Sequence, residues 1–468
     1  MINYSSYTAY DSFWGKNIPS HWNVKPLYAL AKVKSICDCT ELELLSVYLD
    51  AGVVPFSSRT QKRTNATSSD LSKYQRVDPG DFVLNNQQAW RGSVGVSKDT
   101  GIVSPAYIVL SLNGELNSEF ANYLFRNRIM VDQYLINSKS VGSIQRNIYW
   151  PSLKRVSVPI PPKPEQVKIV KYLDWQVSKV NKLISTKKKQ ITLLQEQRQR
   201  LIDDTVFGAC EIDDTPNSQL PLGLILPLDW KAVKFNGFFK FGKGLGITKK
   251  DLVEEGVPVI SYGQIHSKTN SGTEIDDSLI RYVEPQYLTS SPNALVQVGD
   301  FIFADTSEDF AGVGNCVYVD RSDVIFAGYH TVIARPKDGS THRYLAYLFK
   351  SSLWRYQLRK SVNGVKVYSI TQRILKNAFV LLPPEEEREQ IVSYLDEKCQ
   401  LLAKAIDNKK DEIACLEELK QKLISDVISG QVDVRDIFVP EFEYVSDEAD
   451  SSEDDLDELE DISEDEEV

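Results

Sequence analysis

The feature that most constrains the fold is a long segment that occurs twice. Residues 161–208 align without a gap to residues 383–430, at a constant offset of 222 residues and with 20 of 48 positions identical. Each copy opens with a proline pair and then carries Tyr-Leu-Asp, at 172–174 and at 394–396. Because a repeat of this kind marks a structural unit built more than once, the chain must contain the same element twice.

Each copy has the pattern of a helix of roughly 40 residues, which would be about 60 Å long. Apolar residues recur at alternating spacings of three and four, as in a coiled-coil seam. Basic residues interrupt both seams at the same two places, Lys187 and Arg198 against Lys409 and Lys420. A glycine, at 208 and at 430, follows where a helix C-cap is expected. The seam residues are Leu173, Val177, Val180, Ile184, Ile191, Leu194 and Leu201 in the first copy, and Leu395, Cys399, Leu402, Ile406, Ile413, Leu416 and Leu423 in the second.

The charges of the two copies predict that the helices pair with each other. Residues 165–208 carry nine basic and five acidic side chains, whereas residues 387–430 carry seven basic and ten acidic ones. Opposite net charges favour the mixed pair over two self-pairs in separate chains, although exposed ion pairs contribute little each. The alternative is that each helix is buried separately on its own domain.

The segments before the two helices repeat more loosely. Residues 18–22 correspond to 226–230, residues 77–84 to 296–303, and a helical pattern at 121–125 to one at 346–349. Between these anchors the sequences differ, and β-branched runs punctuated by Gly, Pro, Asn and Asp predict small, mostly β domains. We therefore predict an α+β fold in which two mostly-β or mixed domains alternate with two long helices that form an antiparallel coiled coil with pseudo-twofold symmetry. The expected segments are domains at 1–160 and 211–382, helices at 161–210 and 383–432, and an acidic tail at 433–468.

The net charge of −11 hides a basic body. Residues 441–468 carry 16 acidic side chains and no basic one, so the first 440 residues keep 54 basic and 49 acidic side chains, a net of +5. A modestly basic body is compatible with nucleic-acid binding. The acidic tail has little to bury, and we predict that it is disordered. It is either a solubilising tail or a phosphate mimic that competes for the body's own DNA surface.

Other functions are disfavoured by the motifs that the sequence lacks. No stretch approaches the roughly 18 consecutive apolar residues of a membrane span, and the polar start lacks the build of a signal peptide. The six cysteines include no CxxC pair and there are only four histidines, which predicts reduced core cysteines in a cytosolic protein and no metal site. We predict no catalytic residue, because neither an Asn/Asp-Pro-Pro-aromatic methyltransferase motif nor a Walker lysine occurs. The glycines at 242–246 are expected to form a turn.

The order and duplication of these motifs resemble the specificity subunit of type I restriction–modification systems. The resemblance covers about residues 10–430 and rests on two (Ile/Leu)-Pro-x-x-Trp motifs, ending at Trp22 and Trp230, and on two helices led by Pro-Pro and Val-x-Tyr-Leu-Asp. It fits the second domain best, and the first domain departs from it between Lys34 and Arg76. It implies that the globular domains are target-recognition domains for double-stranded DNA, and that the helices are a spacer and a docking surface.

The resemblance also implies partners and cofactors. Two methyltransferase (M) subunits would bind this chain, and translocase–nuclease (R) subunits would join the complete enzyme. S-adenosylmethionine would belong to the partner subunits, and ATP and Mg to the full complex. The chain itself would bind no cofactor and would be a non-catalytic, cytoplasmic subunit.

Direct repeats around a pseudo-twofold axis predict that each domain meets one half of a bipartite, asymmetric DNA site with unread bases between. Base edges are read by amides, arginines and hydroxyls on loops. Any single such residue is typical of an ordinary solvated loop, but as groups they indicate DNA contact. Trp22 and Trp230 are expected to be core anchors. The candidate DNA-binding residues are Arg59, Lys62, Arg63, Asn86, Gln88, Arg91, Ser140, Ser143, Gln145 and Arg146 in the first domain, and Lys249, Lys250, Tyr262, Gln264, His266, Lys268, Lys360, Asn363, Lys366 and Tyr368 in the second.

Two other functions stay open at this point. One is a coiled-coil scaffold that binds protein partners without reading DNA, against which the basic body argues mildly. The other is a self-contained methyltransferase or nuclease whose active site the motifs do not show. Activity of the purified chain with S-adenosylmethionine or magnesium would favour the latter.

Overall fold

The computed structural model describes residues 3–49, 51–58, 70–141, 145–208, 210–212, 224–362 and 367–446. The chain divides into a first unit, residues 1–190 with 409–468, and a second unit, residues 191–408. Each unit therefore combines a globular part with a part of both long helices. The helices are α1 (Leu27–Leu30), α2 (Ser118–Arg126), α3 (Arg128–Ile136), α4 (Trp150–Leu153), α5 (Lys163–Phe207), α6 (Phe235–Phe238), α7 (Tyr262–His266), α8 (Tyr287–Ser290), α9 (Arg343–Lys350), α10 (Ser352–Arg359), α11 (Gln372–Asn377) and α12 (Glu385–Ile428).

The first unit is built on a four-stranded antiparallel sheet, whose strands in order are β4 (Ala31–Lys34), β11 (Tyr107–Leu112), β8 (Asp81–Asn85) and β9 (Val94–Val96). Its central strand β8 is buried along most of its length, and the ring of Phe82 stacks on Phe125 of α2 at 4.3 Å. Burying such a side chain contributes roughly 1.5–3 kcal/mol, so α2 is held on this face of the sheet. The strands are β1 (Tyr7–Ser12), β2 (Gly15–Pro19), β3 (Asn23–Pro26), β4 (Ala31–Lys34), β5 (Leu45–Tyr48), β6 (Gly52–Pro55), β7 (Gln75–Val77), β8 (Asp81–Asn85), β9 (Val94–Val96), β10 (Gly101–Val103), β11 (Tyr107–Leu112), β12 (Ser138–Val141), β13 (Gln145–Ile148) and β14 (Ser157–Ile160).

The second unit repeats this antiparallel sheet, with the strands in the order β18 (Phe239–Lys243), β26 (Thr331–Pro336), β22 (Phe301–Ala304) and β24 (Cys316–Tyr318). It adds a second four-stranded sheet, β19-β21-β20-β25, in which only β20 and β25 are parallel. The aromatic core gathers around Phe235, whose ring lies 4.4 Å from Phe239 and 5.4 Å from Trp354. The strands are β15 (Glu211–Ile212), β16 (Leu224–Ile225), β17 (Lys231–Lys234), β18 (Phe239–Lys243), β19 (Leu252–Val253), β20 (Val257–Ile260), β21 (Arg281–Val283), β22 (Phe301–Ala304), β23 (Thr306–Ser307), β24 (Cys316–Tyr318), β25 (Phe326–Ala327), β26 (Thr331–Pro336), β27 (Tyr368–Ser369) and β28 (Phe379–Leu382).

A Gly-Asp turn opens the equivalent strand, β8 or β22, in both units. The glycines, Gly80 and Gly299, have φ of +90° and +94°, which a residue with a side chain rarely adopts. The carboxylate of Asp300 is 1% exposed, accepts a hydrogen bond from the backbone N–H of Gln297 at 2.8 Å, and pairs with Arg335. Asp81 makes the same turn and pairs with Lys34 of β4. A buried carboxylate is tolerated because it is paired and hydrogen-bonded, so this loosely repeated motif is a structural anchor.

The predicted pairing of the two helices is confirmed in the first unit. Val177, Val180 and Ile184 of α5 are buried, and α5 runs antiparallel to α12, since Leu173 shares a core with Val427 and Ile428. At the first basic interruption of the seam, Lys187 Nζ lies 2.5 Å and Lys409 Nζ 2.7 Å from oxygens of Glu412.

In the second unit the last turns of α5 and the first turns of α12 belong to the same apolar core. Ile202 and Val206 share that core with Leu395, and Cys399 packs against it. The Tyr-Leu-Asp motif holds each helix on its globular part: Tyr123 donates to Asp174 at 2.8 Å in the first unit, and Tyr347 donates to Asp396 at 2.5 Å in the second.

The two tryptophans of the (Ile/Leu)-Pro-x-x-Trp motifs are core anchors, as predicted. Trp22 and Trp230 are 6% and 7% exposed. Their indole N–H groups donate to Glu165 and Glu387, respectively, each at 3.0 Å. Each motif therefore fixes its globular part to the first turns of the following helix.

Residues 433–446, which we predicted to belong to a disordered tail, pack against the first unit. Val434 and Val439 are buried in its core, and the chain lies along α5, where Asn181 donates to the carbonyl of Val445 at 2.9 Å. The prediction was wrong for these residues because acidic neighbours masked a series of apolar side chains. Residues 447–468 lie outside the described residues.

Two smaller expectations need correction. Cys316 is buried, but Cys37 and Cys415 are exposed, so the cysteines are not all core residues. Gly430 has the φ of +76° expected of a C-cap, whereas Gly208 is not among the glycines with positive φ. The glycines at 242–246 were expected to form a turn, but Gly242 lies within β18, which ends at Lys243, and only Gly244 and Gly246 follow the strand.

Candidate nucleic-acid interface

In the first unit, the structure brings two groups of predicted residues together. Asn86, Gln88 and Arg91 follow β8, and Ser140, Gln145 and Arg146 lie on the hairpin of β12 and β13. The loop after β8 carries Asn86, whose side-chain oxygen accepts the backbone N–H of Ile148 at 2.9 Å, while its carbonyl accepts the same N–H at 3.2 Å. Ile148 ends the hairpin β12–β13. A single bifurcated contact therefore fixes the hairpin beside the loop, and Asn86 has a structural task of its own.

The loop and hairpin present several cations to solvent. Arg91 is exposed and its guanidinium stacks 4.8 Å from the Trp90 ring, while Lys139 Nζ lies 3.7 Å from the Tyr149 ring. A cation over an aromatic ring is attracted to the ring face and keeps its charge. Of the other predicted residues, Gln88 precedes the turn Ala89–Arg91, Ser140 is exposed opposite the half-buried Arg146, and Gln145 lies on β13.

Six predicted residues cannot be assessed. They lie outside the described residues: Arg59, Lys62, Arg63, Ser143, Asn363 and Lys366.

The second unit joins the corresponding loop and strand in the same way, but with different side chains. We call this place the junction of each unit. β23 follows β22 directly and pairs with β27, so that Ser307 faces Tyr368 across the ladder. The backbone N–H of Ile370 donates to the carbonyl of Asp305 at 2.7 Å, as Ile148 does in the first unit. The junction joins the loop after the central strand to the strand before the last short helix, α4 or α11.

Four rings cluster at this junction. The ring of Tyr262 lies 5.5 Å from Tyr329, 5.4 Å from His330 and 6.3 Å from His266, all with near-perpendicular planes. His330 has a φ of +53°, a conformation that costs a side-chain-bearing residue energy and is often found at functional sites. Its ring lies 3.3 Å from a carboxylate oxygen of Asp305.

His266 is held in place by two contacts. Its Nε2 lies 2.8 Å from the carbonyl oxygen of Thr306, and its Nδ1 lies 3.2 Å from the amide nitrogen of Asn315. Both contacts are satisfied when the ring carries its proton on Nε2, because the amide of Asn315 then donates to Nδ1. The predicted residue His266 therefore has a structural role, because it fixes the chain at Thr306 and Asn315.

The remaining predicted residues of the second unit differ in their roles. Gln264 is a helix-capping residue, since its side chain accepts the backbone N–H of Ser261 at 3.1 Å. Lys249, Lys250 and Lys268 are exposed. Lys360 follows α10, and its Nζ lies 6.0 Å from the Tyr356 ring.

Two arginines that the sequence did not single out complete this junction. Arg355 and Arg359, one turn apart on α10, both donate to the carbonyl of Ala311 at 2.6 Å, and Arg355 also donates to Asn315 at 2.9 Å. These acceptors are neutral, and burial lowers the pKa of both guanidinium groups. The two arginines are four residues apart, which places them on one face of a helix, but the same spacing is common on ordinary solvent-exposed helices.

Tyr329 and His330 were also missed. They are neighbours in sequence but join the junction only because β25 and β26 fold back beside α7, and no pattern within their own segment indicates that.

The described residues contain no group of three or more His, Cys, Asp or Glu side chains that could hold a metal ion. No helix in the described part of the chain is long and apolar enough to cross a membrane.

The fold and these junctions define a chain with two similar β-rich units, each joined to paired long helices and each presenting a polar, cationic junction. Comparison with known proteins agrees with this class. The chain belongs to the family described as the type I restriction modification DNA specificity domain, whose model matches residues 19–193 and 227–418. Its function is that of a DNA specificity subunit.

The chain is similar to two specificity subunits over most of its length. The type I restriction enzyme MjaVIII specificity subunit of Methanocaldococcus jannaschii is 21% identical over 449 residues, which cover 90% of this chain and 96% of that protein. The EcoKI specificity subunit of Escherichia coli strain K12 is 22% identical and covers 77% of each chain. A solved structure described as concerning complex assembly and conformational transition of the type I restriction–modification system has the same fold, with a TM-score of 0.56 and 18% identity over 89% of this chain and 99% of the other.

Proposed function

We propose that this chain reads a bipartite, asymmetric site on double-stranded DNA, one half with each globular part. The first target-recognition domain would be residues 1–160 and the second residues 211–382, with residues 161–210 and 383–432 as spacer helices. The candidate DNA contacts remain the predicted residues, to which Tyr329 and His330 are added.

One observation carries this proposal. The junction between the loop after the central strand and the strand before the last short helix occurs in both units, with the same backbone contact from Ile148 and from Ile370. The side chains mounted on it differ, with Asn86 and Arg91 in one unit and His266 and Tyr368 in the other. Because the frame is repeated and the side chains are not, the two half-sites should differ in sequence.

The chain would act within a larger assembly. Two methyltransferase subunits would dock on it, translocase–nuclease subunits would join them, and methyl transfer and DNA cleavage would take place on those partners. S-adenosylmethionine, ATP and Mg would then be bound by the partners, and this chain would be a non-catalytic subunit. Because the assembly would act on genomic DNA, this chain would be located in the cytoplasm.

The test is to purify the chain with its methyltransferase subunits and to select binding sites from a pool of random duplexes. We expect a motif of two unlike parts separated by a fixed number of unread base pairs, with binding that weakens steeply as salt rises. Methylated adenines mapped in the host genome should show the same motif. A complex that binds all duplexes equally would contradict the proposal and favour a protein scaffold.

A further inference from the structure

A cavity of about 730 Å³ opens in the second unit next to the candidate interface. Its walls are mainly apolar and come from the end of α5, from β16, from the loop after β23 and from α10. Two of its aromatic side chains are unusually open to solvent, Phe310 at 48% and Tyr356 at 41%. A cavity of this size matches those that enclose a ligand or a few side chains. The wall residues are Phe207, Leu224, Phe310, Leu353 and Tyr356.

Three cations, Arg355, Arg359 and Lys360, and one carboxylate border the cavity. The carboxylate, that of Asp203, already accepts hydrogen bonds from the backbone N–H and the hydroxyl of Ser352, at 2.7 and 2.6 Å, so the rim keeps an excess of positive charge. The two arginines use the carbonyl of Ala311 and the side chain of Asn315 as acceptors, and the Nε of Arg359 is buried without a hydrogen-bond partner. The cavity also adjoins the candidate interface, since the Phe310 ring lies 5.4 Å from the Tyr368 ring. Apolar walls under a cationic rim fit a ligand that is both acidic and apolar.

The chain itself carries a segment with that chemistry. Residues 447–468 contain 14 acidic side chains and no basic one, and three branched apolar residues, Leu456, Leu459 and Ile462, recur among them every third residue. A DNA backbone offers phosphates but no aliphatic groups to fill apolar walls. A segment of 22 residues can span up to about 70 Å when extended, so its length does not limit it to a site near residue 446.

We propose that residues 447–468 of this chain dock in the cavity, with their leucine and isoleucine side chains against the apolar walls and their carboxylates on Arg355, Arg359 and Lys360. Docking there covers the surface beside Tyr368 and competes with DNA. The competition rests on the proposed function, whereas the docking itself does not. Residues 447–468 therefore act as an internal inhibitor that a specific DNA site must displace.

Docking is tested without DNA by photo-crosslinking in the full-length chain. A benzophenone amino acid placed at position 459 should crosslink to peptides containing Phe310 or residues 353–360. The crosslink should be lost in Phe310→Ala/Tyr356→Ala, which removes two exposed wall side chains, and retained in the matched control Tyr282→Ala, an exposed aromatic elsewhere in the same unit. Crosslinks that map only to other surfaces, or none at all, would overturn the proposal.

Competition is tested with two tail variants of the full-length chain that separate charge from apolar contact. Leu456→Ser/Leu459→Ser/Ile462→Ser keeps every carboxylate, and Asp454→Asn/Asp455→Asn/Asp457→Asn/Glu458→Gln keeps every apolar residue. We expect both to bind a non-specific duplex roughly three- to tenfold more tightly than the unmodified chain. If only the amide variant binds more tightly, the tail acts by charge alone and docking is refuted. If the unmodified assembly shows no site preference while the crosslink is intact, the proposed function fails and the docking stands.

Discussion

Individual side chains in the two units divide into those that repeat a contact and those that do not. Trp22 and Trp230 both donate to a glutamate at the start of a long helix, and a tyrosine bonds the aspartate of Tyr-Leu-Asp in each unit. At the junctions the side chains differ, and only the backbone contact is shared. Side chains that hold the fold are therefore repeated, whereas the side chains at the junctions differ between the units.

Arg91→Ala should relax recognition in one half of the DNA site only. Arg91 is exposed on the first unit, and loss of an arginine that contacts a base costs about 1–3 kcal/mol of discrimination. Site selection from random duplexes should lose one position of one half-site and keep the other half unchanged. Lys16→Ala, an exposed lysine on β2, is the matched control. A change in both half-sites would contradict the assignment of one half-site to each unit.

Lys350→Met should stabilise the second unit near neutral pH. Burial, reinforced by Arg355 and Arg198, lowers the pKa of Lys350 to about 8. Because the folded pKa lies below the unfolded value, the stability linked to Lys350 is present at high pH and is lost as pH falls towards 8. We expect the variant to gain about 1–3 kcal/mol at pH 7 and to lose most of that advantage by pH 10.

Urea denaturation at the two pH values measures this difference. The exposed Lys231→Met is the control and should show no such pH-dependent gain. If both variants behave alike, the ammonium group of Lys350 is solvated and the argument from burial is wrong.

Among the elements of the fold, the two long helices could be predicted from the sequence, whereas the candidate nucleic-acid interface could be predicted only in part. The seam of α5 and α12 is a local pattern repeated at a fixed offset, so the sequence contained both the elements and their pairing. The strands β5 and β6 lie where the first domain departs from the family pattern, and no comparable repeat marks them. Tyr329 and His330 reach Tyr262 only through tertiary contacts, which no single segment encodes. The same holds for the contacts of Arg355 and Arg359 with Ala311.

The misassigned residues 433–446 illustrate a different limit. Val434 and Val439 are buried, and their positions were readable in the sequence. The prediction of disorder followed the average composition of residues 433–468 instead, and the acidic residues from 441 onwards dominate that average. Burial depends on where individual apolar side chains fall, which an average charge conceals.

Glu412→Gln should weaken the helix pair in the first unit in a pH-dependent way. Hydrogen bonds from Lys187 and Lys409 lower the pKa of Glu412, so its contribution is present above about pH 4.5, the usual range for glutamate, and is lost as pH falls through the lowered value. The variant should melt at a slightly lower temperature than the wild type at pH 7, and the difference should vanish in acid. Glu417→Gln, which alters an exposed carboxylate on the same helix, is the control. A melting difference that persists in acid would show that Glu412 acts by packing.

At the scale of the whole molecule, charge is divided along the chain. The first 440 residues have a net charge of +5 and the remainder carries 16 acidic residues. Phosphate contacts govern affinity and its salt dependence, whereas base contacts govern the motif. Variants of exposed lysines and variants of junction side chains should therefore have separable effects on the intact complex.

Lys249→Ala/Lys250→Ala/Lys268→Ala should weaken DNA binding without changing the motif. The three lysines are exposed on the second unit, and each lost phosphate contact lowers the slope of log affinity against log salt by about 0.9. Titrations of the assembled complex between low and moderate salt should therefore give a slope smaller by roughly two to three, with both half-sites still selected from random duplexes. Lys231→Ala in the same unit is the matched control and should leave the slope unchanged. An altered second half-site at constant slope would show that these lysines read bases, and would move the base-reading surface of the second unit from the junction at Tyr368 towards α7 and the turn at 249–251.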